Sequence, residues 1–410
     1  MIEESVHPAR ASELARLREL LRRLERRPPV PRRPAPPPIL SLETIETRYG
    51  VALRRVEDVP LPPPLAAAAP PAGTLFLDTE TTGLSGGTGT YVFLVGLASW
   101  DDGRLRVTQY FLGDLAAEAA FLAAVRDAVA AARQLVTFNG RTFDFPLLET
   151  RYLLARAPWW GGEVAHLDLY PLARALWRAR ATDCRLTTLE TALLQMDRGD
   201  DVPGALMPQL YFRYLRYQDA RALPRIFAHN RWDLLALALL AARAEALLAG
   251  PDPHHDPLEW LGAARWLERR DPTRSAGFYE AALGADRLPD GARTRAAWRL
   301  GRLWRRAGRL ESAVALWTRV AREDPTPPLG LLVDLAKLCE HHVRDYAAAL
   351  RLALTALGRA ENESPPELRS LVLAALHHRV RRLERRLSAR RASRPAASGP
   401  SAGVEGPHAP

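Results

Sequence analysis

LFLDTETTGLSGGTGTYVFLVG, residues 75–96, decides the fold. Leu75-Phe76-Leu77 opens an apolar run that reads as a strand, and side chains two apart on a strand share a face, so Asp78 and Glu80 project together. Two carboxylates at one strand end repel each other, and a divalent cation between them is the usual resolution. A polar strand end entering a turn is the plainer reading of an isolated Asp-x-Glu, so further acids are needed to decide.

Working outward, two more apolar runs follow, YVFLVGLASW from Tyr91 and RLRVTQYFL from Arg104, with the hairpin signal Asp101-Asp102-Gly103 between them. Together with the first run they predict a three-stranded antiparallel meander. Next come an alanine-rich helix over about Leu115 to Ala132, a strand QLVTF ending at Phe138, and a helix after Thr142. The strand-like VAHLDLY and helical runs at 171–178 and 185–195 complete the pattern. Strands that are first antiparallel and then alternate with helices imply an α/β fold, a mixed sheet flanked by helices. In such sheets chemistry gathers at strand ends.

Two further acids stand where they could reach such an end. Asp144, in NGRTFDFPLL, opens the helix after QLVTF and either caps it or faces a site, while Phe143, Leu147 and Leu148 hold the helix down. In AHNRWDLLALALLAARAEALL, His229 and Asp233 lie four apart, so at ~3.6 residues per turn they share a helix face, whether as a surface contact or as part of a site. His166 and Asp168 share a strand face in HLDLY and read as supporting or sheet-edge residues. Asp201-Val202-Pro203-Gly204 reads as a turn.

The remainder bounds organisation and partners. Residues 1–40 combine a basic amphipathic helix, ASELARLRELLRRLERR, with the proline-rich linker PPVPRRPAPPP, and 41–72 form a lead-in to the domain over 73–248. Residues 255–360 show no strand pattern and repeat: segments from Gly262, Leu300 and Leu335 each offer a helix, a short turn and a second helix with small residues at regular spacing. Residues 361–410 are an arginine-rich helix and a polar tail. The net charge of +10 is carried by arginine, Lys337 being the sole lysine, and suits a polyanionic partner such as nucleic acid. Cys184 and Cys339 are too few for a zinc site and read as structural thiols. With no signal-peptide pattern and no uncharged apolar stretch of spanning length, the expectation is a cytoplasmic protein without a membrane partner.

The four acids, in the order Asp78, Glu80, Asp144, Asp233, resemble the DEDD exonuclease superfamily, of ribonuclease H-like fold, which includes the proofreading exonucleases of polymerases. LDTETTGL matches its first motif, NGRTFDFPLL its second and HNRWDLLAL its third, over about residues 73–248. DTETTGLSGGTGTY, HLDLYPLARALW, RLTTLE and DVPGALMPQLYFRYL, with Leu300, Gly301, Trp304, Gly308, Ala313, Trp317 and Pro325 of the middle repeat, make the chain similar to bacterial ribonuclease H-like proteins carrying a C-terminal tetratricopeptide array.

The resemblance implies a metal-dependent 3′→5′ exonuclease acting on DNA or RNA with two Mg²⁺ or Mn²⁺ ions. Asp78, Glu80, Asp144 and Asp233 would be the metal ligands, and Thr81, Thr82, Gly83 and Leu84 the substrate-binding loop; a flexible turn is the rival reading of that loop. The third motif departs from the family, which places a His five residues or a Tyr four residues before the last Asp, whereas His229 is four before. A ring that titrates near neutral pH favours His229 as general base. The helical repeats would dock a protein partner. A non-catalytic adaptor on a nuclease fold, or a structure-selective endonuclease, are the competing readings.

Overall fold

The computed structural model describes residues 41–61, 70–83, 87–101, 103–363 and 365–392. The basic helix and linker expected over 1–40, Leu84 and the tail beyond Ala392 lie outside the described residues. By internal contacts the chain divides into two compact units, the first within Met1–Arg174 and Ala181–Ala246, the second within Ala175–Arg180 and Leu247–Pro410.

The first unit is built on a seven-stranded mixed sheet. Its strands are β1 (Glu43–Thr47), β2 (Gly50–Pro60), β3 (Thr74–Thr81), β4 (Val92–Asp101), β5 (Arg104–Phe111), β6 (Gln134–Thr137) and β7 (Ala165–Asp168), in the order β1-β2-β5-β4-β3-β6-β7. The expected meander is present: β3 pairs antiparallel with β4 and β4 with β5. On the other side β3 runs parallel to β6, and β6 to β7, as strand–helix–strand crossovers require. Gly103, at φ +74°, supplies the left-handed turn between β4 and β5.

The lead-in stretch differs from its sequence reading, because β1 and β2 form a hairpin that extends the sheet to Glu43. ETIET and GVALRRVEDVP carry too many charges to read as strands. Those charges pair across the ladder: Arg54 opposes Glu43 and holds it at 2.8 Å, and Arg106 opposes Asp58 at 3.0 Å.

Helices α1 (Glu118–Val129), α2 (Asp144–Leu154), α3 (Leu169–Trp177), α4 (Leu186–Leu189, continued as a π-turn over Glu190–Leu194), α5 (Met207–Tyr217) and α6 (Leu223–Ala249) complete the α/β architecture. The core is fully buried around Phe93, Phe111, Phe121, Tyr211 and Phe227, with Phe93 stacked on Tyr211 at 4.1 Å.

The second unit is helical. Helices α7 (Pro257–Leu267), α8 (Pro272–Gly284), α9 (Asp290–Arg306), α10 (Leu310–Glu323), α11 (Leu329–Leu338), α12 (Tyr346–Glu363) and α13 (Pro366–Ala392) follow in order, each packing on the next. A small residue admits a large one between paired helices. Trp317 of α10 fills the space above Gly301 of α9, where a Cβ would lie 2.2 Å from its Nε1, and that nitrogen donates to Ala297 O at 3.2 Å. At the end of the array, buried Glu340 accepts from Arg379 and Arg382 of α13, each at 2.7 Å. Among the described residues no helix is long and apolar enough to cross a membrane.

Candidate active site

The four acids arrive from three elements. Asp78 and Glu80 share one face near the C-terminal end of β3, where the register with β4 slips between Glu80 and Thr81. Asp144 is the first residue of α2, and Asp233 lies in α6, 155 residues beyond Asp78. Their charges act on one another, so all four share one neighbourhood.

Asp144 is aimed by its surroundings. Asn139, at φ +64°, bends the chain out of β6, and Asp168 clamps the bend by accepting from Asn139 N at 2.8 Å, Arg141 N at 3.1 Å and Tyr170 N at 3.0 Å. Thr79 donates its hydroxyl to Asp144 Oδ1. His166 does not reach this cluster by any hydrogen bond. It bonds Thr137 Oγ1 at 2.8 Å and stacks on Phe145 at 3.8 Å, and burial lowers its pKa. The expectation that Asp168 and His166 support the strand edge matches these contacts.

Asp78 is oriented across a gap in the sheet. Its register partner is Gly96 of β4, whose own partner on β5 is Gln109. The missing side chain lets Asn230 of α6 sit over the strand, since a Cβ on Gly96 would lie 2.1 Å from Asn230 Oδ1. Asn230 accepts from Gln109 Nε2 at 2.8 Å and donates to Asp78 Oδ2 at 2.7 Å. Gln109 also donates to Phe227 O at 2.8 Å, tying its amide to the same helix.

A second layer holds the third motif. Arg198, in the loop after α4, donates to Glu190 through Nε and Nη2, both at 2.6 Å, to Asp201 at 3.1 Å and to Asp233 Oδ1 at 2.5 Å. Burial opposes its charge, but Glu190 and Asp233 raise its pKa overall. Asp201 takes His229 Nδ1 at 2.8 Å, and His229 Nε2 points toward Asp233 Oδ2 at 3.4 Å. Burial alone would lower the His229 pKa; the Asp201 hydrogen bond and the charges of Asp233 and Asp201 raise it instead. The 201–204 turn thus acquires a purpose that its sequence did not reveal. The same is true of Thr79, Gly96, Gln109, Glu190, Arg198 and Asn230, for which the only sequence signals are a glycine inside an apolar strand and the Asn next to His229.

Electrostatically the cluster is short of positive charge. Burial, followed by repulsion from Asp233 and Asp144, holds Asp78 well above the usual carboxylate range. Glu80 is raised in the same sense by burial and then by Asp78, Asp233, Asp144 and Asp201. Burial lifts Asp144 to about 6. Glu80 is only 7% exposed, yet no donor among the described residues reaches its carboxylate. Glu80, His229 and Asp233 can each offer one ligand atom, all within 4.8 Å of one another. A buried acid without a donor beside further acids is the donor set that suits divalent cations. The loop after β3 is closed by its own side chains: Thr81 Oγ1 donates to Gly83 O at 2.9 Å, and Thr82 Oγ1 accepts from Tyr91 N at 2.8 Å.

A sheet of this order with acids gathered at the end of β3, between an antiparallel and a parallel neighbour, defines a ribonuclease H-like domain, and residues 75–245 match the RNase_H_2 family model of the RNase_H superfamily. Over 324 residues the chain is 32% identical to the uncharacterized protein YprB of Bacillus subtilis (strain 168), across 76% of this chain and 75% of that protein, and it belongs to that family.

Proposed function

We propose that this chain is a metal-dependent 3′→5′ exonuclease that hydrolyses phosphodiester bonds of DNA or RNA with two divalent ions, Mg²⁺ or Mn²⁺. The observation that carries the reading is the approach of Glu80 of β3 to Asp233 and His229 of α6, with ligand atoms within 4.8 Å of one another, beside Asp78 and Asp144, whose charges add to the repulsion. Membership of a ribonuclease H-like family supports nucleic-acid hydrolysis. The 3′→5′ polarity rests on the likeness of the three motifs to the DEDD exonucleases.

Asp78, Glu80, Asp144 and Asp233 would hold the ions. When bound, such ions supply an activated water and neutralise charge on the phosphoryl oxygens and the leaving oxygen. The chain's own contribution is placement. Asn230 fixes the Asp78 carboxylate, Thr79 and the Asp168 clamp fix Asp144, and Arg198 fixes Asp233. Thr81, Thr82, Gly83 and Leu84 would grip the terminal nucleotide, through backbone where the threonine hydroxyls already serve the loop. The helical unit would act as a tetratricopeptide-like module that docks a protein partner.

Purified protein is incubated with end-labelled single- and double-stranded DNA and RNA in Mg²⁺, Mn²⁺ or EDTA. A ladder of products shortened from the 3′ end, absent in EDTA, is expected. A discrete internal cut would replace the exonuclease by an endonuclease, and no metal-dependent turnover on any substrate would overturn the enzyme reading.

A further inference from the structure

We propose that His229 is itself a metal ligand, joining Glu80 and Asp233 in a mixed imidazole–carboxylate site, and that Asp201 is the positioning residue that turns its ring to that task. The proposal rests on the metal-dependent reading above and assigns His229 a different duty from the general base expected of it.

The Asp201 carboxylate is fixed on both oxygens. Oδ1 accepts from Val202 N at 2.8 Å, and Oδ2 accepts from Arg198 Nη1 at 3.1 Å as well as facing His229 Nδ1 at 2.8 Å. A carboxylate paired with arginine is an acceptor, so Nδ1 carries a hydrogen, and in the neutral ring that binds a metal Nε2 presents its lone pair. That lone pair faces Asp233 Oδ2 at 3.4 Å. Two acceptors opposed in a buried site repel, and either a proton on Nε2 or a metal ion between them relieves that repulsion.

The rest of the site is shaped for that cation. Arg198 occupies Asp233 Oδ1, which leaves Oδ2 as the oxygen turned toward the ring. Glu80, nine-tenths buried and without a donor among the described residues, brings the third ligand atom. Three atoms no more than 4.8 Å apart admit an ion within about 2.8 Å of each, and metal–nitrogen and metal–oxygen bonds of ~2.0–2.2 Å need only side-chain adjustment from there. A general base needs instead a place for water against Nε2, and here that nitrogen faces Asp233 Oδ2 at 3.4 Å. A hydrogen bond from Nδ1 to a carboxylate is the support that ligating histidines receive in metal sites. Imidazole is a softer donor than carboxylate, so this site should favour Mn²⁺ over Mg²⁺ more than an all-carboxylate site would.

The test is Mn²⁺ binding to the full-length protein, with electron spin echo modulation to detect ¹⁴N from a coordinated imidazole. Wild type should bind Mn²⁺ with ¹⁴N coupling. His229→Gln should lose the coupling and most of the preference for Mn²⁺ over Mg²⁺, while His166→Gln keeps both. Asp201→Asn should weaken Mn²⁺ binding by ~10–100-fold. Mn²⁺ bound without ¹⁴N coupling, or coupling lost in His166→Gln, would overturn His229 as ligand and leave the nuclease reading intact. An Asp201→Asn protein with wild-type affinity and coupling would remove Asp201 from the scheme. No Mn²⁺ binding at all would bring down both this proposal and the metal-dependent nuclease.

Discussion

Replacing Asp144 by Asn should stabilise the metal-free protein at pH 8. Burial lifts the Asp144 carboxyl from the usual 3.8 to about 6, a rise of about two units. At 1.36 kcal/mol per unit, the ionised group costs the fold about 3 kcal/mol above pH 6. The direction follows from proton binding. A carboxyl with a raised folded-state pKa holds its proton more tightly in the native protein, so its stabilising effect is complete below about pH 4 and is lost as the pH rises through 6. Asn removes the charge at nearly constant volume and still offers an oxygen to Thr79 Oγ1. A 3 kcal/mol gain is a ceiling, since the new amide N–H groups must find acceptors, and at ~2–4 °C per kcal/mol the melting temperature should rise by several degrees. Calorimetry in EDTA at pH 5 and pH 8 should show a gap between wild type and Asp144→Asn at pH 8 that narrows by about half at pH 5. Adding Mn²⁺ should raise the wild-type transition more than that of the variant. If Asp144→Asn melts below wild type at pH 8 in EDTA, the carboxyl is not held against its charge and the cluster is not a cation site.

Asp78→Asn should abolish turnover with unchanged circular dichroism, because the change removes charge while keeping volume, and an active variant would end the metal role of Asp78. Gly96→Ala forces a Cβ to within 2.1 Å of Asn230 Oδ1 and 2.7 Å of Leu234 Cδ1. Overpacking of this kind costs ~1–3 kcal/mol, so a urea midpoint equal to wild type would mean that α6 does not depend on that gap. Arg198→Met strands Glu190, Asp201 and Asp233 without their shared cation and should cost ~3–5 kcal/mol at pH 8, less at pH 5 where the freed acids can protonate. Equal losses at both pH values would point to lost packing rather than lost charge.

Much of the sheet was readable because its physics is local. Alternation along LFLDTET puts Asp78 and Glu80 on one face whatever they meet, and the four-residue step from His229 to Asp233 puts both on one side of a helix in any fold. The β1–β2 hairpin escaped because its strands are stabilised by charge pairs such as Glu43 with Arg54, and such pairs mimic solvent-facing sequence until the partner strand is known.

The supporting residues escaped for a different reason. Asn230 reaches Asp78 across 152 positions, Arg198 reaches Asp233 across 35 and Asp201 reaches His229 across 28, and no periodicity spans such gaps. Each of these residues is polar, and polar residues in single sequences default to surface. One local trace was nonetheless present. Gly96 interrupts YVFLVGLASW at a place where β-branched or aromatic residues would strengthen the strand, and a glycine there marks close approach by another element. That element is α6, and its approach is what lets Asn230 tie Asp78 to the helix that carries Asp233. The first and third motifs are therefore not independent ligand sources that happen to meet. They are coupled through a side chain that the strand lacks, so a substitution at Gly96, which bears no charge, should disturb Asp78 and Asp233 together.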